Sequence, residues 1–475
     1  MSSPELAVSA PSLQVDAATL GKLGQSGPRY TSYPTADRFS ADFGYGNYLE
    51  AVAALRRRGG RRPLSMYLHI PFCASICYYC ACNKIITKDR DKAAVYLDYL
   101  KQEIDMQAGL LADLGQIEQL HLGGGTPTYL SDEQLADLLA YLRQRFGFAA
   151  DADGEYAIEI DPRTVDPARV HTLRALGFNR LSLGVQDFDA DVQRAVNRIQ
   201  PEADTLAVMR AAREAGFRSV SIDLIYGLPL QSVATMRTTL ARVIAASPDR
   251  IALYNYAHMP HLFKPQRRIN EAQLPAPAVK LDMLGLCIAT LTAAGYVYIG
   301  MDHFAKPDDE LALAQRQGRL HRNFQGYSTR AETDLLACGV SAISAIGATY
   351  SQNEKTLEAY YAALDEGRLP VARGYRLDTD DLLRRIIIQA LMCHFELSIT
   401  AVEQAYPISF WRYFAAEAAA LQQLEQDGLI VLEDGWINVT PNGRLLIRNI
   451  CMVFDRHLAQ AREQAPQPLR YSKTI

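Results

Sequence analysis

Four of the eight cysteines of this chain, Cys73, Cys77, Cys80 and Cys82, fall within ten residues, in the run PFCASICYYCACN. The spacing C-x3-C-x2-C-x-C places several thiols on one short loop, directly after an apolar segment with strand character. Thiolates so arranged can wrap a metal centre, whereas a disulfide framework does not suit the cytosol. A structural zinc ion normally takes four ligands in two separated pairs, and no second pair or spaced histidine pair follows downstream. A cubane iron–sulfur cluster needs one ligand per iron, so three cysteines leave one iron open for chemistry. The spacing of Cys82 from Cys80 does not by itself exclude Cys82 as a ligand. Cys287, Cys338, Cys393 and Cys451 are scattered and read as small buried hydrophobes.

The elements that must position this loop follow from periodicity. Short apolar or β-branched runs at 65–70, 119–122, 156–161, 180–185, 219–224, 251–256 and 296–300 read as strands. Helical patterns at 93–114, 132–146, 167–176, 202–215, 233–246 and 277–294 lie between or beside them. Gly177, Gly216 and Gly295 stand where helices should stop. Such alternation implies a parallel sheet, and its length favours a complete or partial (β/α) barrel of the TIM type over an open doubly wound sheet. Polar residues gather at the expected C-terminal strand ends, the active-site edge of such folds: Glu159 and Asp161, Gln186 and Asp187, Asp223 and Tyr226, Asn255 and His258. The glycine triplet 123–125 follows the second strand, where backbone can approach a ligand closely.

With 475 residues, 49% hydrophobic and 21% charged, the chain is globular and long enough for two or three units. A net charge of −4 supplies no basic footprint for nucleic acid or an anionic membrane. No run of about 18 apolar residues occurs, and Met1–Glu5 lacks a signal-peptide layout, so a cytoplasmic protein without a membrane partner is expected. Residues 1–25 read as a flexible leader. GPRYTSYPT at 27–35 reads as an extended segment lying on another part of the protein. The division expected is an N-terminal extension over 1–60, a catalytic domain over 61–350 and a mainly helical C-terminal domain over 351–475. Residues 305–350 look loop-rich, and helices are expected at 355–366, 380–394 and 400–427. A hairpin turning at Asp434-Gly435 should follow, then a helix capped by Thr440 with Pro441 at its first position. Helices with a hairpin could form a DNA-binding winged helix, but the acidic balance argues against it.

The C-x3-C-x2-C loop after the first strand, with an aromatic before the third cysteine, resembles the radical S-adenosylmethionine superfamily. The likeness sharpens through GPRYTSYPT at 27–35, residues 69–84, GGGTPTYL at 123–130, GVQDF at 184–188 and DLIYGLP at 223–229. It continues through NYAH at 255–258, GMDHFA at 300–305, HRNFQGY at 321–327, GVSAIS at 339–344 and RNICM at 448–452. Together these resemble the oxygen-independent coproporphyrinogen III oxidase family over about residues 25–460. The resemblance implies an α/β partial barrel of radical S-adenosylmethionine type with an N-terminal extension and a mainly helical C-terminal domain. It implies oxidative decarboxylation of two propionates of coproporphyrinogen III to vinyl groups by 5′-deoxyadenosyl radical chemistry, giving protoporphyrinogen IX in heme biosynthesis. Cys73, Cys77 and Cys80 would hold a [4Fe–4S] cluster, and two molecules of S-adenosylmethionine would bind. Tyr67, Tyr79, Gly124, Gly125, Thr126, Glu159, Gln186, Arg198, Asp223, Ala257 and Ile343 match the positions that hold the pair, and Cys82, Phe324 and Gln325 border the second molecule. Cys82 and Tyr67 are the catalytic candidates. Tyr79 stands where a phenylalanine is common, and its stacking face remains.

The implied partners are a tetrapyrrole and a reducing electron-donor protein, and because no extended apolar helix is left unassigned a monomer is expected. Four propionates should meet basic side chains, for which Arg29, Lys264, Arg267, Arg268, Arg322 and Arg448 are candidates. A related heme chaperone shares the loop and barrel without the decarboxylation. Cys82 with Asn83-Lys84, the GPRYTSYPT segment and RNICM fit the oxidase pattern instead. A radical methyltransferase or heme-degrading relative would share the loop but differ in both terminal segments.

Overall fold

The computed structural model describes residues 26–464 and Tyr471. The expectations for Met1–Glu5 and for the leader over 1–25 lie outside the described residues.

Seven parallel strands form the frame: β1 (Leu64–Ile70), β2 (Ile117–Gly124), β3 (Glu155–Ile160), β4 (Arg180–Gln186), β5 (Ser219–Tyr226), β6 (Arg250–Asn255) and β7 (Asp334–Cys338). They stand in the order β7-β1-β2-β3-β4-β5-β6. β1, LSMYLHI, is buried at six of its seven positions, as a strand covered on both faces must be. Helices Asp91–Leu111, Asp132–Arg145, Pro167–Ala175, Glu202–Glu214 and Val233–Ala246 cross between successive strands. Their starts are written in the sequence: the side chains of Ser131, Asp166 and Ser232 accept the orphan N–H groups of Gln134, Arg169 and Thr235. Gly177, Gly216 and Gly295 have positive φ just past three helix ends.

Two expectations about strands are corrected. Residues 296–300 do not form the next parallel strand. Val297–Gly300 turns back through Met301 and Asp302 into His303–Ala305, a hairpin because so short a connection cannot make a parallel crossover, and His303–Ala305 takes the place beside β6, antiparallel to it. The seventh parallel strand is β7, inside the stretch expected to be loop-rich. Ile343–Ile346, Thr349–Asn353 and Val371–Arg376 extend the sheet antiparallel beyond it. Among the described residues, twelve strands form this one sheet, which runs from Val371–Arg376 to Val297–Gly300 as an open barrel.

Beyond it lie Thr379–His394, a three-stranded sheet of Glu396–Ser398, Ile430–Glu433 and Trp436–Val439, and further helices. The single helix expected over 400–427 is three pieces, Ile399–Ala405, Phe410–Tyr413 and Ala418–Gln426, because Pro407 removes a backbone donor and disfavours helix at the residue before it. These elements have their own apolar core, which includes Leu391, Phe410, Phe414 and Phe454. Tyr30 and Tyr33 of the N-terminal segment are 1% exposed within that same core. The Tyr30 hydroxyl donates to Asp455 at 3.0 Å, the Arg456 N–H donates to the Tyr33 hydroxyl at 3.2 Å, and Arg448 donates to the carbonyls of Gly27 and Pro28. The segment is therefore a strap laid across the C-terminal elements.

Candidate functional site

The cysteine loop leaves β1 at Pro71 and is held by backbone hydrogen bonds on several sides. Phe72–Cys73 pairs with Ile85–Ile86, closing the loop at its base. The N–H groups of Gly125 and Thr126 donate to the carbonyls of Ile70 and Phe72 at 2.8 Å each, tying the loop to the end of β2. Farther out, Tyr78 N–H donates to Val196, Asn197 to Ile76, and Gln266 to Tyr79. Lys84 donates to the carbonyls of Cys80 and Cys82 at 3.0 and 3.3 Å.

A cavity of about 370 Å³ opens between this loop and the C-terminal ends of β2–β5. Of the residues expected from the sequence, Cys73, Cys77, Cys80, Cys82, Tyr79, Gly124, Gly125, Thr126, Glu159, Gln186, Arg198 and Asp223 line it. Tyr67 lies just beneath, its ring stacked 5.8 Å from His121 and its hydroxyl 3.1 Å from His69 Nδ1. Ala257 lies elsewhere, in a separate cavity with His258 and Lys280. Phe324 lines a third cavity, of about 550 Å³, and packs with Ile343 against Phe39 and Tyr350; Gln325 follows in the same hairpin. Of the strand-end pairs, Asp187 is turned inward and accepts from Thr239 and Gln231, so it serves the scaffold.

Most of the charges around the cavity are matched. Asp161 meets Arg163 at 2.6 Å and Arg198 at 3.2 Å; burial opposes its ionisation, but the two arginines hold its carboxyl below the usual range. Arg198 also lies 3.5 Å from Cys77 Sγ and donates to the Gly184 carbonyl at 2.5 Å. Glu159 is half-buried, and His121 Nε2 at 3.0 Å and the Gly124 N–H at 3.3 Å keep it low against the pull of burial. Asp223, with only Ser182 donating to it at 3.2 Å, is pushed up to about 7, first by burial and then by Glu159. A hydrogen bond with Cys82, joined by Lys84, pulls the Cys80 thiol down to about 6, while burial raises Cys73 to about 11.

Sequence reasoning did not single out Arg163, His121 or Ser182. Strand register could have found the last two, because Tyr67 is paired with His121, and Glu159 with Ser182, across adjacent strands. The glycine triplet has a reason of its own. A Cβ on Gly124, at φ +113, would stand 2.6 Å from the His69 ring, and one on Gly123 would stand 2.7 Å from Glu159 Oε1. The run is therefore required by the protein's own packing before any ligand arrives.

The donor set fits a cluster better than a lone ion. Among the described residues no three His, Cys, Asp or Glu side chains converge on one metal-ion position, whereas Cys73, Cys77, Cys80 and Cys82 all line one roomy cavity. Cys287, Cys338, Cys393 and Cys451 are all buried, as expected. No helix among the described residues is long and apolar enough to cross a membrane.

Comparison with known proteins matches residues 67–243 to the radical SAM superfamily and residues 377–446 to the HemN C-terminal domain. The oxygen-independent coproporphyrinogen III oxidase of Salmonella typhimurium is 53% identical over 445 residues, covering 94% of this chain and 96% of that protein. The protein of the same name from Pseudomonas aeruginosa is 50% identical, covering 97% of this chain and 98% of its own length. Among solved structures, coproporphyrinogen III oxidase (HemN) from Escherichia coli, described as a radical SAM enzyme, superposes with a TM-score of 0.89 at 51% identity. That match covers 94% of this chain and 100% of the other.

Proposed function

Because the chain belongs to the oxygen-independent coproporphyrinogen III oxidase family, we propose that it decarboxylates two propionates of coproporphyrinogen III to vinyl groups, giving protoporphyrinogen IX. The observation that carries the reading is the single cavity in which Cys73, Cys77 and Cys80 face Gly124, Gly125, Glu159, Gln186, Arg198 and Asp223. Cys73, Cys77 and Cys80 would hold a [4Fe–4S] cluster which, with S-adenosylmethionine, supplies the electron and the 5′-deoxyadenosyl radical chemistry.

The side chains of this chain then have definite tasks. Glu159, ionised and held by His121, is an acceptor for an ammonium group. Asp223, two strands along on β5, is an acceptor for ribose hydroxyls. Thr126 Oγ1 lies 3.3 Å from Cys73 Sγ and offsets part of the effect of burial on that thiol, and Arg198 lies 3.5 Å from Cys77 Sγ. Tyr79 and Gln186 complete the wall. Tyr67 positions the floor through His69 and His121. Cys82, thiol toward Cys80, is left to border a second S-adenosylmethionine. Outside the cavity described, Phe324 and Gln325 would border that second molecule, and Ala257 and Ile343 would belong to the positions that hold the pair, on the family resemblance alone.

The proposal extends to a reducing electron-donor protein, a cytoplasmic location and a monomeric chain. The functional division is 1–60, 61–350 and 351–475, with Val371–Arg376 reaching back from the last part to edge the sheet of the second. The test is an anaerobic one: reconstituted protein, coproporphyrinogen III, S-adenosylmethionine and a reductant should yield the divinyl product. Cys73→Ser, Cys77→Ser and Cys80→Ser should each lose the visible absorbance of the cluster and the turnover together. Wild-type turnover in those variants would sink the mechanism.

A further inference from the structure

A second buried charged group lies beside the cysteine cavity, and it is built from donors. Arg322 is 3% exposed, and its Nε and Nη1 have no hydrogen-bond partner among the described residues. Among the described residues it has no carboxylate partner either; its guanidinium lies 4.7 Å over the Tyr327 ring. Arg322 stands close enough to Arg29 and Arg448 to help lower both. Burial, then Arg29, brings Arg448 down to about 9, and burial with Arg322 lowers Arg29. Asp302 pairs with Arg29, which also lies 5.8 Å over Tyr254. His303, edge-on to Tyr327 at 5.2 Å, is kept neutral by burial and by Arg322 and Arg29, and its Nδ1 is also without a partner.

Buried cations are normally paired, and a buried guanidinium with two unanswered N–H groups marks a place where an anion is accommodated. Location narrows its kind. Tyr254 on β6 shares the inner face with Asp223 on β5, since Asp223 is paired with Ala252 two residues before Tyr254. The Tyr254 hydroxyl, raised first by burial, is affected by Asp223 and Glu159 on one side and by Arg29 and Arg322 on the other. Arg29, over the Tyr254 ring, and Arg322, which also lines the third cavity with Phe324, therefore reach toward the inner face one strand along from Asp223.

We propose that Arg322, flanked by Arg29 and Arg448, is a carboxylate site that holds a propionate the reaction leaves intact. The inference rests on the substrate reading above. A planar guanidinium fork suits a carboxylate, and the macrocycle carries four propionates of which two survive. A tight charge-assisted pair stabilises a carboxylate in the ground state, which would oppose loss of CO2, so the site suits a retained propionate. The other sequence candidates, Lys264, Arg267 and Arg268, are exposed.

The experiment measures binding of three porphyrin probes to the full-length protein by fluorescence quenching: coproporphyrin III, protoporphyrin IX and coproporphyrin tetramethyl ester. Arg322→Gln should weaken the first two by a similar factor, on the order of tenfold, and leave the ester unchanged. Arg322→Lys, which keeps the charge but loses the fork, should fall between, and unchanged melting curves would show that both variants are folded. If Arg322→Gln binds coproporphyrin III as wild type does, the site is overturned. A loss confined to coproporphyrin III would overturn the retained-propionate assignment. A wild-type protein that neither binds nor turns over any tetrapyrrole would instead overturn the substrate reading, and the inference with it.

Discussion

The cysteine cavity and the arginine cluster are neighbouring charged regions built in opposite ways. Around the cysteines, Asp161 is answered by Arg163 and Arg198, and Glu159 by His121. Around Arg322 three guanidiniums are gathered and Asp302 pairs with Arg29. The difference separates two tasks. A region that must hold a resident cofactor in one geometry is satisfied by the protein itself, so it is formed before anything binds. A region that must take up and release a charged substrate leaves the opposite charge to the substrate.

The largest effect expected of a single change comes from breaking the self-paired region. Arg198→Leu leaves the Cys77 side of Asp161 without its cation inside a buried site, and breaking such a pair costs about 3 kcal/mol. Denaturant unfolding of the cluster-free protein should show that loss, with Arg198→Lys recovering part of it. A loss of under about 0.5 kcal/mol, typical of surface positions, would mean the region is not organised before its cofactor arrives. Gly124→Ala should follow at about 2 kcal/mol, because φ +113 is strained for alanine and its methyl meets the His69 ring. That variant should also bind S-adenosylmethionine more weakly, in equilibrium dialysis, than a Gly147→Ala control, whose Cβ finds only a contact at 3.7 Å.

Much of this contrast was legible in the sequence, but unequally. The cysteine loop, the strand ends at Glu159 and Asp223, and the helices between them follow from local rules: apolar period, caps, and spacing on one loop. Their neighbours lie one strand away in a parallel sheet. The edges of the barrel were less legible. β7 is a short buried strand whose partner β1 lies far away in sequence, and Val297–Gly300 carries the right composition for a parallel strand but is displaced from β6 by His303–Ala305, two residues farther on. Arg322 illustrates the same limit. As one of six candidate cations it was indistinguishable from Arg267 by residue type. Only the fold shows that Arg322 is buried with unanswered donors while Arg267 is in solvent.

Asp223 sharpens the comparison through pH, because it is the least compensated acid of the cysteine cavity. Its folded value of about 7 lies above the ordinary 3.8, so folding disfavours the ionised form. Without cofactor, this group's stabilising contribution is full in acid and is lost as pH rises through about 7. Affinity for a ligand whose hydroxyls donate to Asp223 should run the other way, strengthening from pH 6 to pH 8 by up to about tenfold as the carboxylate forms. Equilibrium dialysis of S-adenosylmethionine across that range should show the slope in wild type and a flat, weak profile in Asp223→Asn. An equal slope in the variant would assign the pH dependence to another group.

The smallest expected effect has the opposite sign from the first, which makes it the sharper test of the contrast. Arg322→Leu removes a buried cation that no acid answers, in a region where Arg29 and Arg448 repel it. Replacing such a group by an apolar one of similar reach should leave the unliganded protein as stable as wild type or more stable by about 1 kcal/mol. The same change at Arg198 should destabilise by about three times as much. Both are buried arginines at the inner face of one sheet, so burial alone predicts equal penalties for the two. Only the presence or absence of a built-in partner separates them. Parallel denaturant titrations of the two leucine variants decide the matter. Equal losses at both positions would show that Arg322 is a structural cation like Arg198, held by the fold rather than held in readiness for a substrate carboxylate.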